Sequence, residues 1–134
     1  MTNIQVPAVQ PINPVASVAT WADALLADAD PFLAAIQGAQ GRIPEWPAFL
    51  VDAQRLREAA ANFRNDAAMG KDVAGLAYEF RDVDAAWQRL SRRLYRVSKG
   101  QQIGPNIEAV KRMGVTLGQI HQALGMPGYA PNVP

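Results

Sequence analysis

The sequence predicts an all-α protein: an up-down-up-down four-helix bundle with a kinked first helix and extended, proline-rich arms at both ends. Three observations carry this. Apolar residues recur in alternating steps of three and four, the spacing of helices packed lengthwise. Glycines and prolines fall where that spacing breaks. The 134 residues suit one domain rather than two. Connections between the periodic stretches are short, which makes successive helices antiparallel neighbours.

Residues 1–16 read as an arm. They carry no charge, and Pro7, Pro11 and Pro14 favour extended backbone over helix. Ile4, Val6, Val9 and Ile12 lie among the prolines as candidate contacts for a neighbouring subunit or partner. Pro11 and Pro14 also form a PxxP pattern, which is too short to specify a ligand. The segment 126–134 is uncharged and proline-rich as well, and contributes Tyr129 as a further contact. The bundle occupies 17–125 between these arms.

The first helix, near 18–41, keeps Val18, Trp21, Leu25, Ala29, Phe32 and Ile36 in phase, but Asp30-Pro31 interrupts it. Asp suits an N-cap and Pro a first helical position, so a kink or two short helices sharing a face are expected. Thr20 with Asp23 resembles a capping box. The second helix, near 47–69, begins at Pro47 and runs Phe49, Ala53, Leu56, Ala60, Phe63 and Ala67, with Gly70 as its stop. The third, near 72–98, carries Leu76, Phe80, Val83, Trp87, Leu90 and Leu94, and Gly100 follows it. The fourth, near 105–124, starts at Pro105, stacks Val110, Met113, Leu117, Ile120 and Leu124, and stops at Gly125.

Composition excludes several chemistries. Without cysteine there is no disulfide framework, thiolate zinc site or cysteine nucleophile. A single histidine rules out multi-histidine metal sites, and no glutamate has a histidine three residues on, so a di-iron carboxylate centre is excluded. Walker, GxGxxG and GxSxG patterns are absent. No eighteen-residue apolar run exists to span a membrane, and the first 20 residues lack the basic start and apolar stretch of a secretory signal. Glu108 is explained by an i,i+4 pair with Arg112.

Charge is balanced overall at +1 but divided along the chain. Residues 1–84 hold 6 basic and 11 acidic side chains, a net −5, while 85–134 hold 7 and 1, a net +6. Much of the second half's charge is Arg89, Arg92, Arg93 and Arg96, which helical spacing places opposite Trp87, Leu90 and Leu94. Tyr78 projects on that same outer side. Such a face suits a protein interface, or pairing with acidic helices of the same bundle. Binding of an anion or nucleic acid through this face is a further alternative, with nucleic acid disfavoured because little aromatic surface interleaves with the arginines and the net charge is small.

The last helix carries Gly114 and Gly118 within about 60° of His121 on the wheel. Each mid-helix glycine costs about 1 kcal/mol relative to alanine. Close approach of a neighbouring helix accounts for them; a small-ligand or haem slot with His121 as ligand is the alternative. A four-helix b-type cytochrome likewise places its haem histidine on the last helix, but its methionine on the first has no counterpart here.

The segment Phe80-Arg81-Asp82-Val83-Asp84-Ala85-Ala86-Trp87-Gln88-Arg89-Leu90-Ser91-Arg92-Arg93-Leu94 resembles a pattern, FRDxDxAWxRLxxRL, in helical modules of uncharacterised, often secreted bacterial proteins. The likeness covers about residues 47–124 and includes Leu56, Ala60 and Phe63 of the preceding helix. It implies an envelope or extracellular setting and no assigned activity. The expected function is therefore a non-catalytic structural or interaction module, without cofactor, that self-assembles or docks into a larger complex.

Overall fold

The computed structural model describes residues 14–98 and 107–126. They form four helices, α1 (Pro14–Gln37), α2 (Trp46–Ala68), α3 (Val73–Ser98) and α4 (Ile107–Ala123), with no strand among the described residues. The arm residues Ile4, Val6, Val9, Ile12 and Tyr129, and with them Gly100 and Pro105, lie outside the described residues.

α1 starts earlier than its hydrophobic pattern suggests. Pro14 opens it, because a proline in the first turn lacks only an N–H that a helix leaves unpaired there. Residues 14–16 thus belong to the bundle rather than to the arm, and Thr20 sits inside the helix instead of capping it. The helix runs on through Pro31 without dividing in two. It ends at Gln37, short of position 41, where Gly38 and Gly41 weaken helix and Gly41 turns the chain at φ 78°. Ile43 still packs on the core from this connection.

The other boundaries follow local chemistry. Pro47 lies in the first turn of α2, and Asp72 caps α3 by accepting the Gly75 N–H at 2.8 Å. α4 ends in a Schellman motif: Gly125 takes φ 66°, its N–H donates to Gln122, the Met126 N–H donates to His121, and Met126 packs against the core.

Successive ion pairs fix the direction of the first three helices. Arg57 meets Asp30 and Arg64 meets Asp23, so α2 runs antiparallel to α1. Arg93–Asp52 and the edge-to-face pair Phe63–Phe80, with ring centroids 5.1 Å apart, do the same for α2 and α3. His121 lies level with Asp84. An antiparallel α4 then places Ile107 beside Ser98, whereas a parallel one would begin about 40 Å away at 1.5 Å per residue, beyond the reach of the linking residues 99–106.

The core rows expected from the heptads are buried except at Trp21, which is half-buried while its neighbour Ala22 takes the interior position. The rows differ in bulk. Ala22 and Ala29 on α1 face a row with Ala53, Ala60 and Ala67 on α2, and these small side chains let the two backbones run close together. α3 supplies Phe80 and Trp87 instead. α1 also packs closely on α4, and α2 on α3, while the α3 and α4 backbones scarcely approach and meet through side chains such as Asp84 and His121.

Pro31 is exposed and removes one hydrogen bond from the interior of α1. Pro31→Ala is expected to stabilise the fold by about 1–3 kcal/mol, the gain in helix propensity less what proline contributes by restricting the unfolded chain. A urea midpoint that rises at unchanged slope is the outcome to look for; a fall would mean the bundle depends on a bend there.

Candidate functional site

The arginines of α3 separate into two groups. Arg93 turns away from solvent toward α2, where its Nε donates to Asp52 at 2.7 Å and a terminal nitrogen donates to Glu45 at 2.6 Å. Asp52 is only 3% exposed, so this pair is largely withdrawn from water. Arg96 donates to the same Glu45 carboxylate at 2.8 Å. The Asp52 hydrogen bond, against the opposing effect of burial, raises Arg93 above the ordinary guanidinium value. The Arg96 hydrogen bond is the largest influence lowering the Glu45 carboxyl, followed by burial, which opposes it, and then by Arg93.

Glu45 precedes α2 in the left-handed conformation, φ 59° and ψ 31°, and its side chain does not cap the helix. It is the one non-glycine at positive φ among the described residues, and such a backbone persists when its surroundings over-determine it. Two arginines hold its carboxylate, and Trp46, next in sequence, donates its indole N–H to the Ile36 carbonyl at 2.6 Å, tying the end of α1 to the start of α2. Sequence reasoning did not single out Glu45, Trp46 or Asp52. Asp52 carried a usable signal: it lies three residues after Phe49 and four before Leu56, on the flank of the buried row.

On the opposite flank of α3, Asp84 and His121 face each other across the α3–α4 seam. The imidazole Nε2 and the carboxylate Oδ2 lie 3.1 Å apart, and the ring meets Phe80 edge-on with centroids 5.3 Å apart. His121 is 6% exposed. The Trp87 indole N–H and Asp84 Oδ1 are buried without a hydrogen-bond partner among the described residues. Gly114 is buried, but close packing does not explain Gly118: a Cβ built there meets nothing within 4 Å. A haem bound through Nε2 would have to displace Asp84.

Arg112 also departs from expectation. It reaches across to Asp28 on α1, at 3.0 Å, rather than back to Glu108. Together with Arg93 and Arg96 it absorbs much of the charge division inside the chain.

What stays outward on α3 is a stripe. Tyr78 is 68% exposed, and Arg81 stacks over its ring with the guanidinium 5.7 Å from the centroid. Asp82, Ala85, Arg89 and Arg92 are exposed, and neither Arg89 nor Arg92 has a carboxylate partner among the described residues. Arg92 touches only Gln88, at 3.3 Å. Beside the stripe, a groove of about 390 Å³ runs between α2 and α3, lined in part by Arg55, Glu58, Glu79, Asp82 and Arg89. Lys71 closes one end of this region by bridging Asp66 and Glu79. No three His, Cys, Asp or Glu side chains gather as a metal-holding group among the described residues.

Comparison with family models, with curated proteins and with solved structures finds no match for this chain. The resemblance noted over 47–124 therefore adds nothing to what the geometry carries. Among the described residues no helix is long and apolar enough to cross a membrane.

Gly118 sits in ordinary helical backbone with room above it. Gly118→Ala should raise stability by about 1 kcal/mol. A loss instead would show that the open space is filled in solution.

Glu45 gives a pH signature. Its folded pKa lies below the ordinary 4.5, so its contribution is complete above that value and is lost as pH falls through the folded pKa. Glu45→Gln should therefore be less stable than the wild type near neutrality, with the two unfolding curves converging in acid. Equal stability at neutral pH would show that the Glu45 contacts with Arg93 and Arg96 do not stabilise the fold.

Proposed function

We propose that this chain is a non-catalytic interaction module whose outward α3 face docks on protein, its own copies or a larger assembly. The observation that carries this is the composition of that face. Tyr78 and Tyr95, 68% and 69% exposed, share it with Arg81, Arg89, Arg92 and Arg96, and α3 has no lysine. Tyrosine and arginine are the types enriched where proteins meet, and lysine is depleted there. Arginine presents a planar fork matched to carboxylates, where lysine offers a strongly hydrated point charge.

The fold supports this role. A helix clipped on one flank by Arg93 and on the other by Asp84 presents its outer side chains from a rigid base, which lowers the entropy lost on docking. The uncharged arms remain candidates for part of the contact on composition alone. Nucleic acid is a weaker fit, because Arg93 and Arg96, two of the four clustered arginines, are already engaged by Glu45 and Asp52. The small-ligand alternative at His121 draws on the open space over Gly118 and on the buried Trp87 indole N–H.

A photoreactive phenylalanine derivative at position 78, compared with one at the equally exposed Val115 on α4, tests the docking face in the native host. Adducts from position 78 and not from 115 are expected. No adduct from 78, or the same yield from both, would defeat the proposal.

A further inference from the structure

The outward face of α3 is complementary to itself. Its exposed residues Tyr78, Asp82, Ala85, Arg89 and Arg92 step by four, three, four and three, the spacing by which two helices pack lengthwise. Ala85 stands at the middle of this stripe and is small enough to let a second backbone come close. Tyr78 and Arg92 lie seven residues to either side of it, about 10.5 Å along the axis. Asp82 lies three residues before it and Arg89 four after, about 4.5 and 6 Å away.

Charge follows the same division. Through Asp84, α3 holds Glu79, Asp82 and Asp84 against Arg81; beyond it the helix holds only arginines. Two such helices side by side in parallel would set like charges together, and antiparallel they set unlike charges together. Sidedness agrees as well. Asp82 and Arg89 both lean toward α2 and line the α2–α3 groove, whereas Arg81 and Gln88 lie about 80–120° away, toward α4. A two-fold axis perpendicular to the pair of helices keeps each side with its own kind. Asp82 then meets the partner's Arg89, not its Arg81, and the contact is made twice.

We infer that the chain pairs with a second copy of itself through antiparallel α3 helices crossing at Ala85. Two Asp82–Arg89 ion pairs form across the axis, and Tyr78 lies against the partner's Arg92 at each end, an aromatic face beneath a guanidinium. Small residues at the crossing and charges at the sides set register and direction rather than contributing a large apolar area, so the dimer is reversible. This inference rests on the docking role proposed above and names the partner for that surface.

Sedimentation equilibrium of the full chain tests it with a complementary pair of variants. Asp82→Arg alone opposes arginine to Arg89 twice, and Arg89→Asp alone opposes aspartate to Asp82 twice. Each is expected to weaken self-association about tenfold or more relative to wild type. Mixed in equal amounts they restore both ion pairs, so a heterodimer within a few-fold of the wild-type affinity is expected. Ala85→Arg, at an exposed helical position, should prevent association while circular dichroism shows helix content unchanged, which keeps the test independent of how the charge variants fold. A wild-type chain that stays monomeric across the concentration range overturns the self-pairing, as does a mixture that associates no better than its components. If the wild type is monomeric while position 78 still cross-links to another protein, self-pairing alone falls; if neither occurs, the docking role falls with it.

Discussion

The unequal bulk of the four core rows is the constraint on which the rest of this structure depends. Alanines at 22 and 29 on α1 and at 53, 60 and 67 on α2 allow one close seam. Phe80 and Trp87 then fill the interior from α3, which leaves α3 and α4 joined by side chains rather than by backbone proximity. Filling the core with large residues at a fixed angle also fixes what the other angles of α3 can do. Positions on one flank look at α2, where Arg93 finds Asp52; positions on the other look at α4, where Asp84 finds His121. Only the third side remains for anything outside the protomer.

The charge division of the sequence is in part an internal matter, since Arg93, Arg96 and Arg112 of the basic half meet Asp52, Glu45 and Asp28 of the acidic half. Asp23, Asp28 and Asp30 on α1 are answered by Arg64, Arg112 and Arg57 from α2 and α4. Most of these pairs are exposed, and exposed pairs contribute little to stability. Their value lies in fixing which helix adjoins which, because two of them join α2 to α1 in antiparallel register and the third joins α4 to it. Asp52 differs in kind. Being nearly buried, it would be costly without Arg93, and removing either partner from such a pair typically costs about 3–5 kcal/mol.

The sequence made some of this legible and hid the rest for physical reasons. Heptad spacing located the core rows with the exception of Trp21, since burial is what creates the spacing, and Gly70 and Gly125 marked helix ends because only glycine enters φ near 80° and 66° without strain. Pro14 misled because proline both breaks helices and begins them, and nothing upstream of Val18 carried the periodicity that would decide between the two. Helical spacing groups Arg93 with its neighbours on one outer face, where pairing with an acidic helix of the same bundle is one reading, without a named partner. A long side chain at the border of a face can turn either way, and the deciding group, Asp52, comes from 41 residues earlier. Glu45 was beyond reach altogether: a left-handed glutamate is stable only through the arginines that hold it, so no local pattern announces it.

The engagement of Arg93 and Arg96 has a consequence for the outer face of α3. Were all four arginines free, the C-terminal half of that helix would be a uniformly positive field, able to attract any polyanion with little selectivity. Glu45 and Asp52 neutralise the two toward its end, leaving Arg89 and Arg92 as discrete positive positions seven and three residues beyond Asp82 and Arg89 respectively on a stripe that also holds an aromatic ring and a carboxylate. Alternating chemistry of that kind discriminates among partners, because a wrong register sets arginine against arginine or buries Asp82 without a cation. The strained connection at Glu45 is thus tied to specificity: by pairing its carboxylate with two guanidinium groups, it turns a basic patch into a patterned one.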